Sequence, residues 1–156
     1  MDEHKHISVL HILTRMNTGG VSNQVLTTCQ QLRLRGYDVE IGTGCCAPDE
    51  EDCRDLALAE GFHIHDVGAL SNSAGLFGNI RAVYEIYQLL RSLKPTVVHL
   101  HMFKARVLGS IAARVAGTQL VVETLHGNVL DGYYGLVVTR VLLFAEQIVG
   151  WILAHQ

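Results

Sequence analysis

Residues able to do chemistry gather at three turns of this 156-residue chain. Thr18-Gly19-Gly20 follows the first apolar run. Residues without a Cβ there let a ligand approach main-chain N–H groups at the positive end of a helix, which suits an anion. The same pair also suits a tight turn that needs positive φ, and both readings stand at this point. No phosphate-loop Lys follows. His99-Leu100-His101 closes a later run, and alternation along a strand sends both imidazoles to one side of a sheet, His101 nearer its end. Metal ligation by the pair would need a third ligand, and no carboxylate is placed beside them in sequence. A hydrogen-bonded core His99 and a ligand-facing His101 are therefore expected. Lys104 adds a cation at the start of the next helix, either for an anion or simply solvated.

The third stretch is Glu123-Thr124-Leu125-His126-Gly127-Asn128, followed by Asp131-Gly132-Tyr133-Tyr134-Gly135. His126 is the leading candidate. An imidazole at a strand end donates to a sugar hydroxyl or oxyanion, takes a proton near neutral pH, or merely pins its loop. Glu123 and Asp131 are either acids and bases or structural groups, Glu123 satisfying loop amides and Asp131 forming a turn. Gly42-Thr43-Gly44-Cys45-Cys46-Ala47 has the spacing of a dinucleotide fingerprint, but it follows the second strand and runs into Pro48 and acids, so no dinucleotide site is assigned. Thr14-Arg15 after the first strand, instead of an acidic pair, disfavours an aspartyl-phosphate receiver.

These turns need elements to hold them. Ile7 to Leu13 reads as a strand, and Val25, Cys29 and Leu32 as a helix stopped by Gly36. Val39 and Ile41 begin a second strand. Acids from Asp49 to Asp55 lead into an Ala- and Leu-rich helix ending at Gly61. Phe62 to Val67 is a third strand, Gly68 to Gly78 a loop, and Ile80, Val83, Tyr84, Tyr87 and Leu90 one face of a helix closed by Pro95. Thr96 to His101 and Gln119 to Thr124 are further strands, flanking a helix striped by Val107, Leu108, Ile111, Ala112 and Val115. Apolar strands alternating with helices predict an α/β fold: a doubly wound, Rossmann-like parallel sheet in three layers. Ligands of such sheets sit beyond the strands' carboxyl ends, here after strands one, four and five.

Composition narrows the function classes. With 49% apolar and 17% charged residues the chain suits one globular domain over residues 1–156. A net charge of −3 and 6% aromatic residues give neither a phosphate-binding surface nor base-stacking platforms, so no nucleic-acid partner is expected. Cys29, Cys45, Cys46 and Cys53 match neither a zinc knuckle nor a disulfide framework. Reduced thiols and a polar start without a cationic leader predict a cytoplasmic protein. His4 and His6 are read as solvated tail residues. The apolar segment 136–154 contains Arg140, Glu146 and Gln147, costly within a bilayer. It is read as a packed helix that could touch a membrane surface or form a homodimer.

Taken in order, several pieces resemble the amino-terminal half of retaining glycosyltransferases of family four, enzymes of GT-B architecture with two facing Rossmann-like domains. They are Ile12-Leu13 leading to Gly19-Gly20-Val21-Ser22-Asn23-Gln24-Val25, then Leu32-Arg33-Leu34-Arg35-Gly36-Tyr37-Asp38-Val39. Lys94-Pro95-Thr96-Val97-Val98-His99-Leu100-His101 follows, with Lys104-Ala105, Leu108-Gly109, His126-Gly127 and Gly132-Tyr133. The resemblance implies a glycosyltransferase, acting in cell-envelope or polysaccharide synthesis, on a nucleotide-sugar donor and a saccharide or lipid-linked acceptor. It implies that Gly19 and Gly20 lie against the donor and that His126 and Gly127 lie beside the transferred sugar. His101 and Lys104 would help receive the acceptor. Ser22 departs from the family, which often has Glu there to contact the acceptor. The carboxyl-terminal, donor-binding domain of the family has no counterpart in this sequence, so this half alone is expected to be inactive. No cofactor is expected, because amides and cations stabilise a leaving diphosphate without a metal. The alternatives are half of a nucleotide-sugar epimerase and a stand-alone anion-binding or regulatory module.

Overall fold

The computed structural model describes residues 7–71 and 75–126. Strands β1 (Ser8–Leu13), β2 (Asp38–Thr43), β3 (His63–Asp66), β4 (Val97–His101) and β5 (Leu120–Thr124) alternate with helices α1 (Gly20–Leu34), α2 (Arg54–Ala59), α3 (Leu76–Leu93) and α4 (Phe103–Ala116). All strand pairs are parallel, in the order β3-β2-β1-β4-β5. Parallel strands are reached through crossovers, and the buried apolar runs of β1 and β4 are those of a sheet covered on both faces. Leu10, Ile12, Val98 and Leu100 pack with Ile86, Leu90 and Leu108 from α3 and α4. Leu13, Val39 and Ile41 pack with Val25, Leu26, Cys29 and Ala57 from α1 and α2. The α/β class, the doubly wound sheet and its three layers are as the sequence predicts.

Three local expectations need correction. The predicted loop from Gly68 to Gly78 ends early: α3 starts at Leu76, with the Asn79 amide donating to the Gly75 carbonyl at 2.9 Å. Its first turn buries nothing, Phe77 being 87% exposed, so no amphipathic signal marked the start. The buried face of α3 is Ala82, Ile86 and Leu90, while Ile80 and Tyr84 point outward. In α4 the predicted Leu108 and Ala112 are buried, and small residues complete the packing face. A Cβ on Gly109 would lie 2.6 Å from Leu100 Cδ2, so the missing side chain lets α4 close onto β4. Ala105, Ala112 and Ala113 are buried beside it, whereas Val115 is exposed. The third correction concerns the acids at 49–55, of which only Asp55 lies in the first turn of α2.

All four cysteines are free thiols, and Cys29 is buried enough to push its pKa up to about 12. No described helix is long and apolar enough to cross a membrane. Expectations for His4, His6, Gly127, Asp131 and the segment 136–154, including its membrane contact and homodimer, lie outside the described residues.

Candidate active site at the strand ends

Parallel pairing brings the ends of three strands to one rim. Leu13 pairs with His101, and His101 with Thr124, so the segments after β1, β4 and β5 leave the sheet together. The chain order reverses between β1 and β4, the position where open α/β sheets bind ligands. A groove of about 370 Å³, lined by Leu90, Lys94, Thr96 and Gly117, lies instead at the opposite ends of β4 and β5.

Beneath the rim lies a stack of imidazoles. His11 pairs across the sheet with His99, and their ring centroids are 4.9 Å apart. His99 and His101 do share one face, as alternation predicts, with centroids 4.1 Å apart. His11 Nδ1 bonds His101 Nε2 at 2.9 Å, and His101 Nδ1 bonds His126 Nε2 at 2.9 Å. His99 Nε2 is joined to Thr124 Oγ1 at 2.7 Å. The expected burial order is reversed: His101 is the buried ring, its two nitrogens held by other imidazoles, and it reaches the rim through His126.

Burial, reinforced by neighbouring histidines, lowers the His11 pKa to about 3 and that of His101 to about 2. Both rings are neutral near physiological pH. Burial also lowers His99, which the charge of His126 depresses further, and it lowers His126 itself. His11 is the residue that sequence reading missed, because a lone His within the run Ile7 to Leu13 reads as part of a strand. Its signal lay in pairing, which aligns it with His99.

With His11, three imidazoles place one nitrogen each within 4.8 Å of the others, a spacing a metal ion could use. Two of these rings already bond one another through His11 Nδ1 and His101 Nε2, which turns those lone pairs and protons toward each other instead of toward a shared centre. Glu123, the acid on β5, belongs to the other face of the sheet: it aligns with Leu100, accepts from Arg106 Nη2 at 2.8 Å and Nε at 3.0 Å, and accepts from Ser110 Oγ at 2.8 Å. Its partners are helix side chains, not the loop amides considered from sequence. Glu123 has no part in chemistry at His126.

Gly19 and Gly20 open α1. Gly19 is the N-cap and is extended, with φ 168° and ψ 178°, so no positive φ explains either glycine. A Cβ on either residue would meet nothing within 4 Å. The turn reading therefore gives way to an open approach to the first amides of α1, which no side chain caps. The first turn of α4 differs: the Thr14 hydroxyl accepts from the Ala105 amide at 3.1 Å. The acids at 50–52 have a structural use in holding this loop. The Thr18 amide donates to the Glu51 carbonyl at 2.8 Å, Cys53 N–H to the Met16 carbonyl at 2.9 Å, and Arg15 pairs with Glu50 at 2.6 Å.

Other candidates are held in place around the rim. Lys104 Nζ donates to the Ser71 carbonyl, linking α4 to the segment after β3, and burial lowers its pKa. Met102, between His101 and α4, takes φ 63° and ψ 149°, a conformation disfavoured for a residue with a Cβ and often seen where a site constrains the backbone. Ser22 is buried, so it presents nothing to an acceptor. Gly44 has a packing reason and no dinucleotide role: a Cβ there would lie 1.5 Å from the Leu70 carbonyl oxygen and 2.5 Å from that of Thr14.

Known proteins share this fold. A UDP-Gal:alpha-D-GlcNAc-diphosphoundecaprenol alpha-1,3-galactosyltransferase of Escherichia coli is 28% identical over 124 residues, covering 80% of this chain and 31% of its own length. The chain thus spans about a third of that relative. Its fold matches the lipopolysaccharide outer core galactosyltransferase WaaB, at TM-score 0.65 and 14% identity, over 87% of this chain and 37% of that one. It also matches Anabaena HepE in complex with UDP and glucose, at TM-score 0.63 and 19% identity, over 90% and 35%. A UDP-N-acetylglucosamine 2-epimerase has the same fold at TM-score 0.62 and 17% identity, over 95% of this chain and 40% of that one, so architecture alone does not separate the two activities. The family model described as a glycosyl transferase 4-like domain matches residues 19–155, from the Gly pair through all the later rim segments, and the chain belongs to that family.

Proposed function

We propose that this chain is the acceptor-side domain of a retaining glycosyltransferase that moves a sugar from a nucleotide-diphosphate donor to a saccharide or lipid-linked acceptor in cell-envelope or polysaccharide synthesis. The observation that carries the reading is the convergence of an uncapped α1 N-terminus at Gly19-Gly20 with His126 on a single rim. As the glycosyl bond breaks, negative charge grows on the departing diphosphate, and the first-turn amides of α1 stabilise it without reorganising. The sugar becomes oxocarbenium-like, so its orientation by His126 lowers the barrier through positioning. Attack comes from the face the diphosphate vacates, and the departing phosphate takes the acceptor's proton. Lys104 and the His101 region border the acceptor. No metal is required in this scheme.

The second, donor-binding domain of a GT-B enzyme completes the site and excludes water, so the 156-residue chain alone binds donor weakly and transfers nothing. The Escherichia coli relative is named for a diphosphoundecaprenol-linked acceptor. An acceptor of that class would bring this protein to the cytoplasmic face of a membrane, with residues 136–154 as the segment to meet lipid or a second copy. The test is a donor panel of UDP-sugars with the full-length protein and lipid-linked acceptors, following the anomeric configuration of the product by NMR. Transfer with retention supports the reading. Interconversion of free UDP-N-acetylhexosamines without acceptor would replace it with the epimerase, and binding without turnover would replace it with a binding module.

A further inference from the structure

Three neutral imidazoles in series have few ways to share their protons. Each carries one N–H, and His101 bonds through both nitrogens, so it must donate with one and accept with the other. The series therefore runs head to tail in one of two directions. In the first, His11 Nδ1–H donates to His101 Nε2, His101 Nδ1–H donates to His126 Nε2, and the proton of His126 sits on Nδ1. In the second every proton is reversed, and His126 Nδ1 is a bare lone pair.

The buried end distinguishes them. His11 is 0% exposed and its Nε2 has no hydrogen-bond partner. The first direction leaves an unused lone pair there, whereas the second leaves an unpaired N–H, the rarer defect in folded proteins. We propose that His11 and His101 are positioning residues that hold His126 in its Nδ1–H tautomer, so that His126 offers a hydrogen-bond donor, not a base, to an oxygen of the bound glycosyl donor. The tautomer follows from the bonding geometry of neutral rings; its use toward a sugar rests on the function proposed above. Burial of His101 keeps the series neutral and therefore directional. His99 stands outside it, bonded to Thr124.

Long-range ¹H–¹⁵N spectra of the full-length protein, labelled at histidine, read the tautomer of each ring directly. The expected result near neutral pH is a proton on Nδ1 and a bare Nε2 in His126, His101 and His11. A proton on His126 Nε2 would overturn the proposal. In His11→Leu the series loses its head: His126 should become a mixture of tautomers, and kcat should fall about tenfold with the donor KM almost unchanged. His11→Asn keeps an amide N–H near the former Nδ1 and should restore both. An unaltered His126 tautomer in His11→Leu would also overturn the proposal. If His11→Leu does not fold, the wild-type spectrum and His11→Asn still decide. An Nδ1–H His126 in a protein that transfers no sugar would uphold the relay and reject the glycosyltransferase reading.

Discussion

At the scale of single residues, the histidines carry both the proposed positioning of the sugar and a pH liability. His126→Ala in the full-length enzyme should lower turnover by about 10- to 100-fold while weakening donor affinity far less, because a positioning contact matters most where the bond breaks. Steady-state kinetics with separate donor-binding titrations would check this, and unchanged turnover would remove His126 from the site. Stability should also depend on pH. His11 and His101 titrate in the fold near 3 and 2, against 6.5 when unfolded, so between those values the unfolded chain binds more protons. Stability is then intact above about pH 6.5 and falls on acidification, by about 1.4 kcal/mol per pH unit for each ring. Urea unfolding at pH 7 and pH 5 measures the loss, and His11→Leu should show a shallower slope. His126 and His101 were visible in the sequence from their places at strand ends, and Lys104 from its place at a helix start. The hydrogen bonds among them were not, since the partner of His101 lies 90 residues away on β1.

At the scale of elements, the glycines separate packing from access. Gly44→Ala should cost about 3 kcal/mol or more, because its Cβ would overlap two carbonyl oxygens where the segments after β1, β2 and β3 cross. Gly20→Ala should leave stability within about 0.5 kcal/mol, since its Cβ meets only open space, yet weaken donor binding in the full-length protein. Thermal melts paired with nucleotide-sugar titrations test the contrast. Glu123→Ala should destabilise by about 3 kcal/mol by removing the carboxylate that pairs with the buried Arg106 guanidinium, with chemical denaturation as the measure. The strands were legible because a parallel sheet demands apolar runs. The faces of α3 and α4 were less so. Bulky residues attract attention in a sequence, but α4 docks through Gly109 and alanines beside Leu108, and α3 exposes Ile80 and Tyr84. The acids at 49–55 resembled a helix start when read locally, and their bonds to the loop after β1 depend on tertiary contact.

At the scale of the whole molecule, one sheet separates two different interiors. Transfer by the full-length enzyme should survive chelation by EDTA, because the scheme assigns the diphosphate to helix amides and the imidazoles to one another; loss of transfer on chelation, restored by a divalent ion, would contradict it. The rim was foreseeable from strand order and alternation, given five parallel strands. The imidazole series and the Arg106–Glu123–Ser110 cluster lie on opposite sides of β4 and β5, with the strands themselves as insulation. A designer could thus rebuild the α3 and α4 side with new apolar volume, raising heat tolerance, while the tautomeric wiring on the far side keeps its original setting.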